Sequence, residues 1–313
     1  MGWYWPASPR ILAELLVLAY ALVSVGAVSR TIALVFDCDD TLAPDTTTWL
    51  LQQFGVDTDA FWQRAGDLVR AGWDPPLAYL DLIRMEADAG NLKGLTRERL
   101  AELGPKVEFY PGVPEVFDAL RDFVMAEKRF RHYGINLHYY VISSGIEDLL
   151  VHTRIAPYLH DLWGCRLAYD DQGRIRGPRA VITFTEKTRY LFCINKGIVG
   201  AVQRENPYLV NASIDQEARP IPFSNIVYLG DGPSDVPSMR VVDLFKGFTI
   251  GVTCEKNAKR AYELSLGRRA RMTAEADFSE GKLLRTYLQE HIKRTATRIC
   301  DDIERFLVRG PEI

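Results

Sequence analysis

The sequence predicts an α/β fold in which a doubly wound parallel sheet forms the core and a helical segment is inserted into that core. Apolar runs of four or five residues at 32–36, 139–142, 226–229 and 248–252 are typical of buried parallel strands. Stretches with helical spacing of apolar residues separate these runs. Repeated strand–helix units favour a parallel sheet with helices on both faces.

The chain between the first two strands predicts helices only. From residue 45 to residue 109 it shows apolar residues at helical spacing in three stretches, separated by glycine and proline. We therefore expect residues 31–44 and 110–306 to form the core, and residues 45–109 to form a helical insert.

After residue 110, strands and helices alternate along the rest of the chain. A hairpin is predicted over 167–176, because a turn-forming Asp-Asp-Gln-Gly run lies in its middle. A helix is predicted over 188–202, and the chain is expected to close with helical sequence over 277–306.

Residues 1–30 form a separate apolar region ahead of the core. Positions 11–28 carry one charge, Glu14, and the charge-free part is short for a membrane span of ~20 residues. A secretory signal should begin with a basic region, and only Arg10 is available. An anchor, a signal segment and a peripheral helix or extension all remain open, so membrane contact through 11–28 is one alternative. We expect a cytoplasmic protein, with a membrane-anchored or secreted one as the alternative.

Composition excludes some classes of function. The 313 residues carry a net charge of −3, which argues against nucleic acid as an electrostatically attracted partner. The five cysteines are scattered without a Cys-x-x-Cys pair, so neither disulfides nor structural zinc is expected. Cys38 is interpreted as a packing residue.

Polar residues follow several strand ends, where the ligands of open α/β sheets bind. In chain order they are Asp37 and Asp39, Ser143 and Ser144, Lys187 at a helix start, and Asp231 and Asp235. Each taken singly could be a turn former or a helix cap. Carboxylates gathered at one sheet edge repel one another, however, and a bound divalent cation would offset that repulsion.

Four motifs in this order resemble those of the haloacid dehalogenase (HAD) superfamily, in particular its phosphoserine phosphatase-like branch. The DxDxT-like run is Asp37-Cys38-Asp39-Asp40-Thr41-Leu42, the second motif is Ile142-Ser143, the third is Lys187, and the fourth is Gly230-Asp231-Gly232-Pro233-Ser234-Asp235. The resemblance spans about residues 31–281. It implies a Rossmann-like core with a helical cap over the site.

The resemblance implies a phosphomonoester phosphatase that acts on a small phosphorylated metabolite. Asp37 would attack phosphorus to form an aspartyl-phosphate, and Asp39 would be the general acid and base. Ser143 and the backbone N–H of Ser144 would hold phosphate oxygens, and Lys187 would neutralise charge at the reacting centre.

A magnesium ion is part of the same expectation. Asp37, the backbone carbonyl of Asp39, and Asp231 would supply oxygen ligands, which Mg²⁺ prefers. Asp235 would order a metal-bound water or position the lysine. Lys187 is favoured over Lys196 because Lys196 lies about two and a half helical turns further along.

Two other functions remain open on the sequence. A phosphomutase would pass the phosphoryl group to a second hydroxyl, and a non-catalytic phosphoryl-binding or scaffold protein would show no turnover. An acidic residue at position 39 accompanies phosphatases and phosphomutases in the superfamily.

Two residues of the insert bear on the substrate. Thr46 stands where phosphoserine phosphatases carry a glutamate that binds the substrate's amino group, which argues against phosphoserine. Arg84 could bind a substrate carboxylate or phosphate, or be a solvated helix residue.

Overall fold

The computed structural model describes residues 28–254, 267 and 269–309. The apolar segment at 11–28 lies, apart from Val28, outside these residues, and so do the alternatives that rest on it. Among the helices that the structure describes, none combines the length and the apolar character needed to cross a membrane.

The core is one seven-stranded sheet with the strand order β4-β3-β2-β1-β5-β6-β7. Its strands are β1 (Thr31–Phe36), β2 (Asn136–Ile146), β3 (Asp161–Tyr169), β4 (Ile175–Ala180), β5 (Ile226–Gly230), β6 (Phe248–Thr253) and β7 (Met272–Glu275). All neighbours are parallel except β3 and β4, which form the predicted antiparallel hairpin. The predicted fold class is confirmed.

Strand β1 lies at the centre of the sheet, which explains its uniformly apolar sequence. Leu34 pairs with Tyr139 of β2 on one side and with Val227 of β5 on the other. Residues 32–36 are completely buried. Because β1, β2 and β5 are parallel neighbours, their carboxyl ends lie side by side at one edge of the sheet.

Four helices occupy the segment for which a helical insert is predicted. They are α1 (Thr46–Gln52), α2 (Thr58–Arg70), α3 (Pro75–Asp88) and α4 (Arg97–Leu103). Each begins after a residue whose side-chain oxygen accepts hydrogen bonds from backbone N–H groups of the first turn: Asp45, Asp57, Asp74 and Thr96. These caps satisfy donors that a helix leaves unpaired at its start.

The other α-helices of the described residues flank the sheet. They are α5 (Glu115–Ala126), α6 (Lys128–His132), α7 (Glu147–Leu150), α8 (Phe184–Lys196), α9 (Gly200–Glu205), α10 (Val236–Leu244) and α11 (Leu283–Arg309).

Two predicted boundaries were wrong. The single helix predicted over 188–202 is two helices, because Gly197 adopts a left-handed φ of 69° and ends α8. The closing helix begins at Leu283 rather than at 277, and the preceding strand β7 was not predicted. That strand is only four residues long, lies at the sheet edge and is half polar in sequence, which gives it a weak pattern.

Gly112 fixes the passage from the insert back into the core. Its φ is +82°, and a Cβ atom there would lie 2.4 Å from the carbonyl carbon of Phe278 and 2.5 Å from the backbone nitrogen of Ser279. Gly94 has a similar φ of +85° but no atom within 4 Å of the corresponding position. Comparing alanine substitutions at Gly112 and Gly94 therefore separates the cost of backbone strain from the cost of a steric clash.

We expect Gly112→Ala to lower the free energy of unfolding by about 3 kcal/mol or more, since left-handed strain and overpacking against rigid backbone add. Gly94→Ala should cost only the strain, about 1–2 kcal/mol. Urea unfolding of both variants measures the difference. Equal losses would contradict the close packing of residue 112 on the backbone at 278–279.

Candidate active site

Asp37 stands directly after β1 and lies against a buried lysine. Its Oδ2 atom is 2.6 Å from Lys187 Nζ, and its Oδ1 atom accepts a 2.7 Å hydrogen bond from the backbone N–H of Cys38. The Asp37 backbone N–H donates to the carbonyl of Leu229 on β5. The residue is therefore held at the carboxyl end of the central strand, with only 5% of its surface exposed.

Lys187 lies in the first turn of α8 and is completely buried. Its ammonium group donates to Asp37 Oδ2, to Asp235 Oδ1 at 2.8 Å and to Ser234 Oγ at 3.3 Å. Burial alone would lower the pKa of Lys187, but the adjacent Asp235 and Asp37 carboxylates outweigh burial and raise it. The lysine thus stays charged in a site that excludes water.

Asp235 is completely buried, and its two oxygens are both engaged. Oδ1 accepts from Lys187 and from the Tyr228 hydroxyl at 2.7 Å, and Oδ2 accepts from the backbone N–H groups of Asp231 at 3.1 Å and Gly232 at 3.2 Å. A Cβ atom at Gly230 would lie 2.3 Å from Asp235 Cγ. The glycine therefore leaves room for this carboxylate.

Three carboxylates meet beside the ammonium group. Oxygen atoms of Asp37, Asp231 and Asp235 lie within 4.8 Å of one another, and all three residues are buried. One ammonium group, that of Lys187, lies beside them and offsets part of their negative charge. Burial and the nearby Asp235 raise the pKa of Asp37 well above its usual range, even though Lys187 opposes this. Buried oxygen donors of this kind could hold a divalent metal ion.

Asp39 lies beside this cluster but binds a different residue. Its Oδ1 atom accepts from the backbone N–H of Thr46 at 2.7 Å and from the Thr46 hydroxyl at 2.6 Å. Its Oδ2 atom is 3.4 Å from Ser143 Oγ. Burial, followed by the negative charge of Asp45, raises the pKa of Asp39 to about 6, against the effect of the Thr46 hydrogen bonds.

Ser143 and Ser144 lie in an irregular part of β2. The pairing with β3 shifts register between Ile142 and Ile146, so residues 143–145 leave the regular ladder. The Ser143 hydroxyl accepts from the backbone N–H of Gly145 at 2.8 Å, and the Ser144 hydroxyl donates to the carbonyl of Ile182 at 3.0 Å. We name residues 143–145 the bulge turn. The sequence placed the strand end here, but β2 continues to Ile146.

Lys187 and Lys196 of helix α8 have different hydrogen-bond partners. The ammonium group of Lys196 donates to the backbone carbonyls of Val210 at 2.7 Å and Ala212 at 2.8 Å, which is a structural role. Among the residues of the predicted site, Lys187 is the lysine that the fold brings to Asp37.

The two insert residues that the sequence singled out have different positions. Thr46 contacts Asp39, as described above. The guanidinium of Arg84 instead binds Asp81 and Asp88 of its own helix, both at 2.7 Å, with a third of its side chain exposed. Arg84 is thus paired with carboxylates of its own helix.

Two contacts to the site were missed by the sequence reasoning. Tyr228 donates to Asp235 from within β5, and Tyr79 of α3 donates its hydroxyl to the backbone carbonyl of Ser144. Tyr228 lies inside the predicted apolar run 226–229, and a phenol in an otherwise aliphatic buried run is the signal that would have marked it.

Comparisons with known proteins give likenesses of sequence and fold. No protein-family model matches the chain. An uncharacterized protein of Borreliella burgdorferi is 28% identical over 289 residues, which cover 83% of this chain and 96% of that protein. This relative carries no described activity.

Solved structures that the chain resembles include phosphoserine phosphatase in its apo form, with 16% identity, a TM-score of 0.48, and 83% of this chain and 98% of that chain covered. Cytosolic 5′-nucleotidase IIIB bound to cytidine has 13% identity and a TM-score of 0.48, with 93% and 94% covered. A HAD family hydrolase from Salmonella enterica serovar Typhi has 15% identity and a TM-score of 0.47, with 82% and 78% covered. At these values the activity has to be argued from the site itself.

The buried ammonium group predicts a test by stability. Lys187→Met should lower the free energy of unfolding by about 3–5 kcal/mol, because it leaves Asp37 and Asp235 buried without their counter-charge. Lys196→Met, on the same helix, removes hydrogen bonds to carbonyls and should cost about 1–3 kcal/mol. Urea unfolding in the presence of a chelator compares the two variants.

The loss in Lys187→Met should also depend on pH. Carboxyl groups with a raised folded-state pKa bind more protons folded than unfolded, so folding gains stability as the pH falls through that pKa. The variant should therefore be least stable relative to wild type near pH 8 and recover part of the difference near pH 5. A pH-independent difference would contradict an unpaired buried carboxylate.

Proposed function

We propose that the protein is a Mg²⁺-dependent phosphomonoester phosphatase of the HAD superfamily that acts through an aspartyl-phosphate. The observation that carries this proposal is the buried ammonium of Lys187, shared by Asp37 and Asp235 beside Asp231 at the carboxyl edge of the sheet. Lys187 pairs with Asp37 and Asp235, and oxygen atoms of both lie within 4.8 Å of a third buried carboxyl group, that of Asp231. Such a group of buried oxygen donors suits a centre that binds a metal ion.

The carboxylate best placed to react is Asp37. It lies at the end of the central strand, and its backbone is fixed by a hydrogen bond to β5. A carboxylate that attacks a phosphate ester must approach an anion, and the ammonium of Lys187 reduces the repulsion. A magnesium ion would be held by Asp37, Asp231 and the Asp39 carbonyl, with Asp235 orienting the site, and it would neutralise charge on the phosphoryl oxygens.

The first half of the reaction forms the covalent intermediate. A carboxylate oxygen of Asp37 bonds to phosphorus as the bond from phosphorus to the leaving oxygen breaks. The protonated carboxyl group of Asp39 donates its proton to that oxygen, which departs as an alcohol. A pKa of about 6 keeps part of the Asp39 population protonated near neutral pH.

The second half regenerates the enzyme. Asp39, now a carboxylate, takes a proton from water as the water oxygen bonds to phosphorus. The bond between phosphorus and Asp37 breaks, inorganic phosphate is released, and Asp39 is protonated again. One residue can perform both transfers because a pKa of about 6 lets Asp39 hold or release a proton near neutral pH.

The bulge turn and the insert would complete the site. The Ser143 hydroxyl and the Ser144 N–H would hold phosphoryl oxygens, and the helices of residues 45–109 would act as a cap that limits the access of water. Thr46 is neutral and bound to Asp39, so the insert offers no carboxylate at that position for a substrate amino group. We infer a small phosphate monoester other than phosphoserine as the substrate.

Asp37→Asn tests the proposal directly. The amide cannot attack phosphorus, so phosphate release from a panel of phosphomonoesters should fall by at least about 10³-fold. Wild-type activity should vanish with a chelator and return with Mg²⁺. Asp40→Asn is the matched control: its φ of 53° suits asparagine, and it should retain activity within a few-fold.

The same assay separates the rival functions. Transfer of the phosphoryl group to an added sugar phosphate without free phosphate would identify a phosphomutase. Wild-type protein that releases no phosphate and binds the same ligands as Asp37→Asn would identify a non-catalytic binding protein.

Asp39→Asn tests the general-acid role through the leaving group. Alkyl phosphates need a proton on the departing oxygen, whereas p-nitrophenolate leaves readily without one. The variant should therefore lose ~10²–10⁴-fold in the formation of alcohol from alkyl phosphates and much less in the burst of p-nitrophenolate from p-nitrophenyl phosphate. Stopped-flow measurement of both first turnovers shows the contrast, and equal losses would assign Asp39 another role.

A further inference from the structure

The bulge turn lacks the support that a regular strand gives. Between Ile142 and Ile146 the pairing of β2 with β3 skips ahead, so the backbone groups of residues 143–145 lie outside the ladder. A turn that is to hold a phosphoryl group must nevertheless keep its N–H and hydroxyl groups in place. Its geometry then depends on the other hydrogen bonds that reach it.

Besides the 3.4 Å hydrogen bond that Ser143 Oγ donates to Asp39 Oδ2, three described hydrogen bonds fix the bulge turn. Within the turn, the backbone N–H of Gly145 donates to Ser143 Oγ at 2.8 Å. From the core, the carbonyl of Ile182 accepts from Ser144 Oγ at 3.0 Å. The third comes from the insert, where the Tyr79 hydroxyl donates to the carbonyl of Ser144.

Tyr79 is itself held rigidly within the insert. Its side chain is 8% exposed, and its ring packs edge-to-face on Trp62 with centroids 5.7 Å apart. The indole N–H of Trp62 in turn donates to Thr48 Oγ1 at 2.7 Å. Thr48 of α1, Trp62 of α2 and Tyr79 of α3 thus contact one another in sequence and connect the three helices.

We propose that Tyr79 is a positioning residue that fixes the bulge turn when the insert lies against the core. The inference rests on the proposed phosphatase function. The hydroxyl of Tyr79 is aimed at the peptide carbonyl of Ser144 and acts on the phosphoryl group only through the turn. When the insert is in place, the turn is held from three sides, and when the insert moves away it loses one of them.

The arrangement links two events of the catalytic cycle. The bulge turn binds the phosphoryl group firmly while the insert covers the site. It binds the group less firmly when the insert shifts away from the core and product must depart. Thr46, which binds Asp39 from the first turn of α1, places a second insert contact next to the first.

Tyr79→Phe tests the proposal because it keeps the ring and removes the donor. Tyr139→Phe is the matched control, since Tyr139 is also a buried phenol whose hydroxyl donates to a backbone carbonyl, that of Phe117, at 2.8 Å. Both variants lose the same kind of bond, and melting temperatures check that both fold. The probes are inorganic phosphate as a competitive inhibitor, kcat and KM for a turned-over monoester, and hydrogen exchange of a peptide spanning 142–147.

We expect Tyr79→Phe to raise the inhibition constant of inorganic phosphate and to lower kcat/KM, each by about tenfold, and to speed exchange at 143–145. Tyr139→Phe should change both kinetic values by less than about twofold and leave that exchange unaltered. Equal behaviour of the two variants, or no change in either, overturns the proposal. If wild-type protein releases no phosphate, the proposed function fails, and the exchange comparison alone still decides whether Tyr79 fixes the turn.

Discussion

The site depends on one electrostatic arrangement, the ammonium group of Lys187 enclosed by the carboxylates of Asp37 and Asp235. Burying either charge type alone is costly, and the carboxyl groups of Asp37 and Asp235, each within 3 Å of the ammonium group, keep the lysine charged. The carboxyl group of Asp231 lies beside these two, with oxygen atoms of all three within 4.8 Å of one another. The same arrangement therefore stabilises the lysine and gathers oxygen donors that could hold a divalent cation.

The sheet topology makes this arrangement possible without bringing distant loops together. Strands β1, β2 and β5 are parallel neighbours at the centre of the sheet, and they deliver Asp37, the bulge turn and Asp231 to one edge. Lys187 arrives from a different kind of element, the first turn of α8, which points a long side chain under the strand ends. Asp37 and Lys187 are thus fixed by a central strand and by a helix that both pack in the core.

The sequence predicted the fold class and the residues that gather at the sheet edge, because those signals are local. A buried apolar run followed by carboxylates is visible within ten residues. The contact of Tyr79 was not predictable in this way, since packing brings together two residues, Tyr79 and Ser144, that are 65 positions apart. Strand β7 and the register shift in β2 were not predicted for the same reason. Both depend on pairing with a neighbouring strand rather than on the local sequence.

The antiparallel hairpin at the sheet edge has a mechanical consequence. Strand β3 pairs with β2 through its first half and with β4 through its second half, while α3 packs on β4 and the backbone N–H of Arg97 donates to the carbonyl of Gly173 at the hairpin tip. The insert helices are thus attached to the core through the β3–β4 hairpin, as well as through the two points where the chain enters and leaves the insert. A swinging motion would have to twist β3 or slide α3 along β4, which favours a small shearing displacement over a wide hinge opening.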